Sequence, residues 1–189
     1  MKPIIIIEHL EPKIWPWCKI EYESISRIIQ KNKLWFTNIK NNSNFIKKLG
    51  KVSKSSIRNI ELKNACILDP NAHKRLNPKE AKRFDYFIIG GILGDYPPKK
   101  RTKEELTDKI INIPARNLGK KQLSTDNAVY VLKRIIQGTP LKRIKLQNKA
   151  VIKVNNIESI ELPYYYPIIN GKPRISKKLV NYLKRKRTF

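Results

Sequence analysis

An α/β fold built on a mostly parallel sheet, with helices on both faces, is what this chain of 189 residues predicts. Three observations carry that expectation. Four consecutive isoleucines, Ile4 to Ile7, form an apolar run without polar alternation, the pattern of a strand covered on both faces. Between residues 65 and 89, "ACILDP", "NPKEAKRF" and "DYFII" then read strand, helix, strand, and such alternation belongs to parallel sheets. Finally, "FDYFIIGGILGDYPPKKRT" at 84–102 ends an apolar strand in three of the chain's 7 glycines, where an open α/β sheet presents its ligand crevice.

Taken in order, Pro3 to Ile7 is the first strand and "EHLEPKIWPWC" a loop. A helix is expected from Glu21 to Lys31, because Tyr22, Ile25, Ile28 and Ile29 share one side at helical spacing, and Leu34 to Thr37 reads as the second strand. Residues 38–60 are polar and basic, with one short helical stretch at Phe45 to Leu49, and are expected to form a basic surface insertion. Asn77 is placed to cap a helix that has Pro78 at its first position and Glu80 at its third. Beyond the glycines come a proline-rich loop, a short helix at Thr102 to Thr107 and the strand-like "KIINIP". Ser124, Thr125 and Asp126 signal the start of a helix whose buried stripe is Ala128, Val131, Leu132, Ile135 and Ile136, and Gly138 and Pro140 stop it. The remainder is strand-like "AVIKV" and "IESIEL", the aromatic "PYYYP", a turn at Asn170 and Gly171, and a basic helix from Ser176. With neither an internal repeat nor a long linker, residues 1–189 are expected to form one domain.

Charge bounds the partners. The 41 Lys and Arg against 15 Asp and Glu leave a net +26, a field that draws polyanions. Contact with nucleic acid through a basic surface is therefore expected, with 38–60 and "KRKRTF" at 184–189 as its tracks; lysines spread by composition alone are the duller source. Residues 1–25 stand apart, with Glu8, Glu11, Glu21 and Glu23 against Lys2, Lys13 and Lys19, so this segment has carboxylates to offer a pocket. Apolar runs fall far short of the roughly 18 to 20 residues a membrane span needs, and a soluble, cytoplasmic protein is expected. Cys18 and Cys66 have no CxxC partner or spaced histidine, so they read as buried thiols and no metal site is expected. The glycines lie at i, i+1 and i+4, which does not fit the dinucleotide fingerprint, and no GxxxxGK[ST] occurs. Free backbone amides at the helix start near Leu118, Gly119 and "LSTDNA" are the stronger sign of a ligand site.

The combination of "LDP" at 68–70, "FDYFIIGGILGDYPPKKRT" at 84–102 and "LGKKQLSTDNAV" at 118–129 resembles the SPOUT methyltransferase superfamily. Together with "IIEHLE", "CKIEY" and "ELPYYYPIINGKP", it is similar to the branch of archaeal and fungal proteins whose fungal member methylates an arginine of a ribosomal protein. The resemblance implies a trefoil knot in the C-terminal part of the sheet, one of the exceptions to the rule against threading. It also implies S-adenosylmethionine as cofactor, held mainly by backbone. On that reading Gly90, Gly91 and Gly94 open the slot, amides around Leu118, Gly119, Leu123 and Thr125 bond the adenine, and Ile92, Leu93 and Leu123 pack on the purine, with Ala128 beside them. An arginine acceptor has no available lone pair until a proton leaves, so carboxylates must hold the guanidinium and accept that proton. Glu8, Asp95 and Asp126 are the candidates, with Arg101 positioning the cofactor carboxylate or an acceptor group. Lys100, Asn127 and Tyr165 depart from the family pattern and bear on acceptor recognition. A ribosomal-protein arginine is the expected acceptor, an RNA base the alternative, and a non-enzymatic basic ribosome- or RNA-binding module the third reading; a monomer is favoured over a homodimer.

Overall fold

The computed structural model describes residues 3–40 and 44–186, so Arg187 to Phe189 of the basic tail and residues 41–43 of the 38–60 segment lie outside the described residues. Six strands form one sheet: β1 (Ile4–His9), β2 (Leu34–Thr37), β3 (Lys51–Val52), β4 (Ala65–Leu68), β5 (Tyr86–Gly91) and β6 (Ala115–Arg116). Their order is β3-β2-β1-β5-β4-β6, and every pairing is parallel. The isoleucine run explains why β1 is central. Ile5 and Ile7 point into one core layer and Ile6 into the other, as a two-residue period requires, and all three are at most 1% exposed. From β1 the chain winds outward through β2 and β3, then crosses to β4 and fills the gap with β5. The connections thus diverge at the carboxyl ends of β1 and β5, where an open sheet leaves a crevice.

The two faces are covered differently. On one, α1 (Pro16–Ile28), α2 (Asn44–Leu49), α3 (Pro78–Ala81) and α5 (Thr125–Ile136) pack over Ile7, Phe36 and Phe87. On the other, Ile6, Ile67 and Ile88 meet Ile57, in a 3-10 turn at Ile57–Asn59, and Leu106, which follows α4 (Arg101–Glu105). A second, antiparallel sheet of β7 (Leu146–Lys153), β8 (Ser159–Ile169) and β9 (Lys172–Pro173) joins α6 (Lys177–Lys186) in a third cluster around Leu162, Tyr166 and Leu183, which also takes in Trp17 and Ile20 of α1.

Several elements differ from the sequence expectation. The first helix begins at Pro16, five residues before Glu21, because a proline at the first helical position has no amide to satisfy and its φ is already helical. Among the described residues of 38–60, β3 extends the sheet, and Ile39, Ile46 and Ile57 are each at most 1% exposed, so the segment contributes to the core. "KIINIP" is not a strand. Pairing with β4 begins only at the last residue of that stretch, where Ile67 N–H donates to Pro114 O, and continues past it with Asp69 N–H to Arg116 O, both at 3.0 Å. "IESIEL" and "PYYYP" merge into β8.

Candidate functional site

A cavity of about 600 Å³ opens at the carboxyl ends of β4 and β5, enclosed by the loops 69–73, 92–102 and 118–123. Leu93, Leu118, Leu123 and Ala128 give it an apolar wall, while Lys99, Lys100, Lys120 and Lys121 stand along its lining as cations. Gly90, Ile92, Leu93 and Gly94 line it from the β5 side, and Leu118, Gly119, Leu123, Thr125 and Ala128 from the α5 side. Asp95 and Arg101 line it too; Gly91, Glu8 and Asp126 do not.

Two of the glycines also make room for the protein's own side chains. None of Gly90, Gly91 and Gly94 has positive φ. A Cβ on Gly91 would collide with the Tyr22 hydroxyl of α1 and crowd Ile7 Cγ2 at 3.1 Å, so Gly91 makes room for the protein's own helix. A Cβ on Gly94 would lie 2.7 Å from Cε1 of Tyr164, whose hydroxyl donates to Gly94 O at 2.8 Å. Gly119 is the left-handed residue at the cavity, with φ +91°. Its amide is taken by Asn117 Oδ1 at 2.9 Å, so one of the four expected adenine donors is engaged within the protein.

The carboxylates sort by their partners. Glu8, fully buried, accepts from Thr37 Oγ1, from Ser56 Oγ at 2.6 Å and from the Ile57 amide at 3.1 Å, which fastens the 38–60 segment to β1 and leaves it no part in the cavity. Asp126 accepts from Ser24 Oγ at 2.7 Å, Ser124 Oγ at 2.8 Å and Arg174 Nη1 at 2.8 Å. Asp95 meets only the exposed Lys99, at 3.7 Å, while its carbonyl accepts from Gln122 Nε2 at 3.0 Å. Arg101 does not project freely: its Nη1 donates to Glu11 Oε1 at 2.8 Å and to Leu93 O at 3.3 Å, and its Nε to Glu105 Oε1 at 2.7 Å. Glu11 Oε1 also accepts from the Leu93 amide at 2.9 Å, so the pair locks the turn after β5. His9 is buried against Tyr22, with Nδ1 2.7 Å from the phenol oxygen, and burial pulls its pKa down against the opposing charge of Glu11.

From sequence, Glu11 and Glu21 count among the carboxylates that residues 1–25 offer a pocket but carry no assigned role, although both stand in the quoted motifs "IIEHLE" and "CKIEY". Glu21 is 5% exposed, accepts from Trp17 Nε1 at 2.9 Å, and lies beside Thr125 and Asp126. Cys18 and Cys66 are buried thiols whose pKa values burial pushes up to about 12.

A family model described as protein arginine N-methyltransferase SFM1-like matches residues 4–188. The protein arginine N-methyltransferase SFM1 of Saccharomyces cerevisiae is 32% identical over 199 residues, covering 95% of this chain and 93% of that one. The crystal structure of the yeast arginine methyltransferase SFM1 complexed with SAM superposes with a TM-score of 0.88 at 31% identity, over 98% of this chain and 92% of that one. A dual-specific Trm10 of Thermococcus kodakaraensis, at TM-score 0.53 and 19% identity over 74% of this chain and 95% of that one, shares the fold.

Proposed function

This chain belongs to the SFM1-like family of protein arginine N-methyltransferases, and from that membership we propose that it transfers a methyl group from S-adenosylmethionine to an arginine of a ribosomal protein. The cavity is the observation that supports this reading most directly. Its volume of about 600 Å³ lies in the usual range for cofactor sites, and its lining suits a nucleoside with an amino-acid tail. Leu93, Leu118, Leu123 and Ala128 are the wall for a purine, Gly119 brings backbone without a Cβ to the lining, and Asp95 has spare acceptor capacity for a cationic tail. The cofactor, when bound, supplies an electrophilic methyl on a sulfonium.

The protein's own part is alignment and exclusion of water, since the transfer is an in-line displacement. The Glu11–Arg101 pair fixes the turn at Leu93, and Tyr164 fixes the neighbouring Gly94 by its 2.8 Å hydrogen bond. Lys99, Lys100, Lys120 and Lys121 then offer phosphate contacts to the RNA of a ribosomal particle that presents the acceptor. The proposal extends to a trefoil knot in the C-terminal part of the sheet and to a monomer working in the cytoplasm.

Those lysines are also the observation that favours a second reading, methylation of an RNA base. Calorimetry with S-adenosylmethionine and transfer of labelled methyl to a ribosomal extract decide between them. Label that survives RNase, is released by protease and is recovered as methylarginine supports the proposal. Label removed by RNase assigns the RNA acceptor, and failure to bind the cofactor leaves a non-enzymatic basic module.

A further inference from the structure

We propose that Glu21 forms the acceptor subsite, its carboxylate holding the substrate guanidinium beside the cavity and taking the proton that the guanidinium loses. This rests on the arginine-methyltransferase reading.

The case begins with charge pairing. In a chain of net +26, three buried carboxylates, Glu8, Asp69 and Glu21, meet no cation among the described residues, and Glu8 is already held by three donors away from the cavity. Around the cavity, Glu11 is occupied by Arg101 and Asp126 by Arg174, each at 2.8 Å. Asp69 accepts from Thr107 Oγ1 and the Asn71 amide, each at 2.8 Å, and ends β4 as a turn residue. Glu21 takes one neutral donor, the Trp17 indole at 2.9 Å, with Thr125 next to it. Among the described residues no lysine, arginine or histidine pairs with it. A desolvated carboxylate of this kind is costly unless a cation arrives to match it. The methyl acceptor is such a cation.

Position supports the same assignment. Glu21 does not itself line the cavity, but Thr125, which does, acts on its carboxylate from the cavity side. Trp17 and Tyr164 are half-buried members of the same apolar cluster, and Tyr164 is bonded to Gly94 on the cavity lining. Flat aromatic faces next to a carboxylate suit a planar guanidinium, which stacks and forms charge-assisted hydrogen bonds together.

The titrating neighbours agree. Burial, with the charge of Asp126 second, pushes the Glu21 carboxyl up to about 8, against the opposing pull of Thr125 and Trp17. The groups whose charges couple to it are Cys18 and Tyr22 of α1, Asp126 of α5, and Tyr164 and Tyr166 of β8. Arg174, the nearby cation, is spent on Asp126 and Asn127. In the step itself a guanidinium nitrogen forms a bond to the methyl carbon while the carbon–sulfur bond breaks and its electron pair goes to sulfur. One N–H proton passes to Glu21, leaving methylguanidinium, a thioether and a neutral carboxylic acid in a site that favours the neutral form.

Glu21→Gln keeps the shape and an oxygen for Trp17, and it separates this role from a structural one. With S-adenosylhomocysteine present, the peptide Gly-Arg-Gly is expected to shift the Trp17 indole N–H resonance of the wild-type protein, with Gly-Lys-Gly weaker. The variant should bind the arginine peptide at least about tenfold less well while its affinity for S-adenosylmethionine and its melting temperature stay unchanged. Methyl transfer to ribosomal proteins should fall about 100-fold or more, and the wild-type rise of kcat/KM with pH through the Glu21 ionisation should flatten. A variant that binds and methylates arginine as the wild type does, or a wild-type Trp17 signal indifferent to the peptide, overturns the assignment. Failure of the wild type to bind S-adenosylmethionine would instead strike the methyltransferase reading, and the peptide titration still reports on Glu21.

Discussion

Gly91 looks like a cofactor glycine and behaves as a packing glycine. Its position at the end of β5, opposite His9, puts its missing side chain against the Tyr22 hydroxyl, which is itself bonded to His9. Gly91→Ala is therefore expected to destabilise the fold by about 1–3 kcal/mol through overpacking. Tyr22→Phe removes the colliding oxygen, so the double variant should recover part of that loss. Urea unfolding of the two single variants and the pair checks it; additive costs would show that the two groups do not meet. Location was legible here, since a glycine cluster at a strand end does mark the crevice. Reason was not, because Tyr22 arrives from a helix that no local pattern aims at Gly91.

Among the elements, the segment 38–60 shows how composition misleads. Its lysines and asparagines read as solvent-facing, yet three isoleucines spaced along it reach both core layers, and Glu8 of β1 gathers its backbone and hydroxyl donors. Glu8→Ala leaves three donors without an acceptor and is expected to cost about 3 kcal/mol or more, Glu8→Gln much less. Denaturant titration measures both, and each folded variant should bind S-adenosylmethionine with wild-type affinity, since Glu8 does not line the cavity. A selective loss of methyl transfer without loss of stability would return Glu8 to the catalytic candidates. The early start of α1 teaches the opposite lesson: Pro16 at a first helical position was a readable signal, hidden by the tryptophans around it.

At the scale of the whole molecule, the net charge of +26 separates two affinities. Cofactor binding is buried and short-ranged, whereas docking on an RNA-rich particle releases counterions. Raising salt from about 50 to about 200 mM should reduce transfer to ribosomal particles by at least about tenfold, with little change in affinity for S-adenosylmethionine. Equal salt sensitivity with a free arginine peptide as acceptor would show that the lysines act elsewhere than in docking.

By itself the sequence determined the parallel sheet, the burial of β1 on both faces, the loop that bounds the cavity and the family, because strand periodicity, caps, turn residues and motif spacing are all local in the chain. Only the tertiary structure decided which carboxylates meet a cation and which meet neutral donors alone. Ser24 and Asp126 are 102 residues apart, and Arg174 bonds both. The ionic state and availability of Glu21 depend on such partners and on burial, and neither is a property of any contiguous stretch of residues.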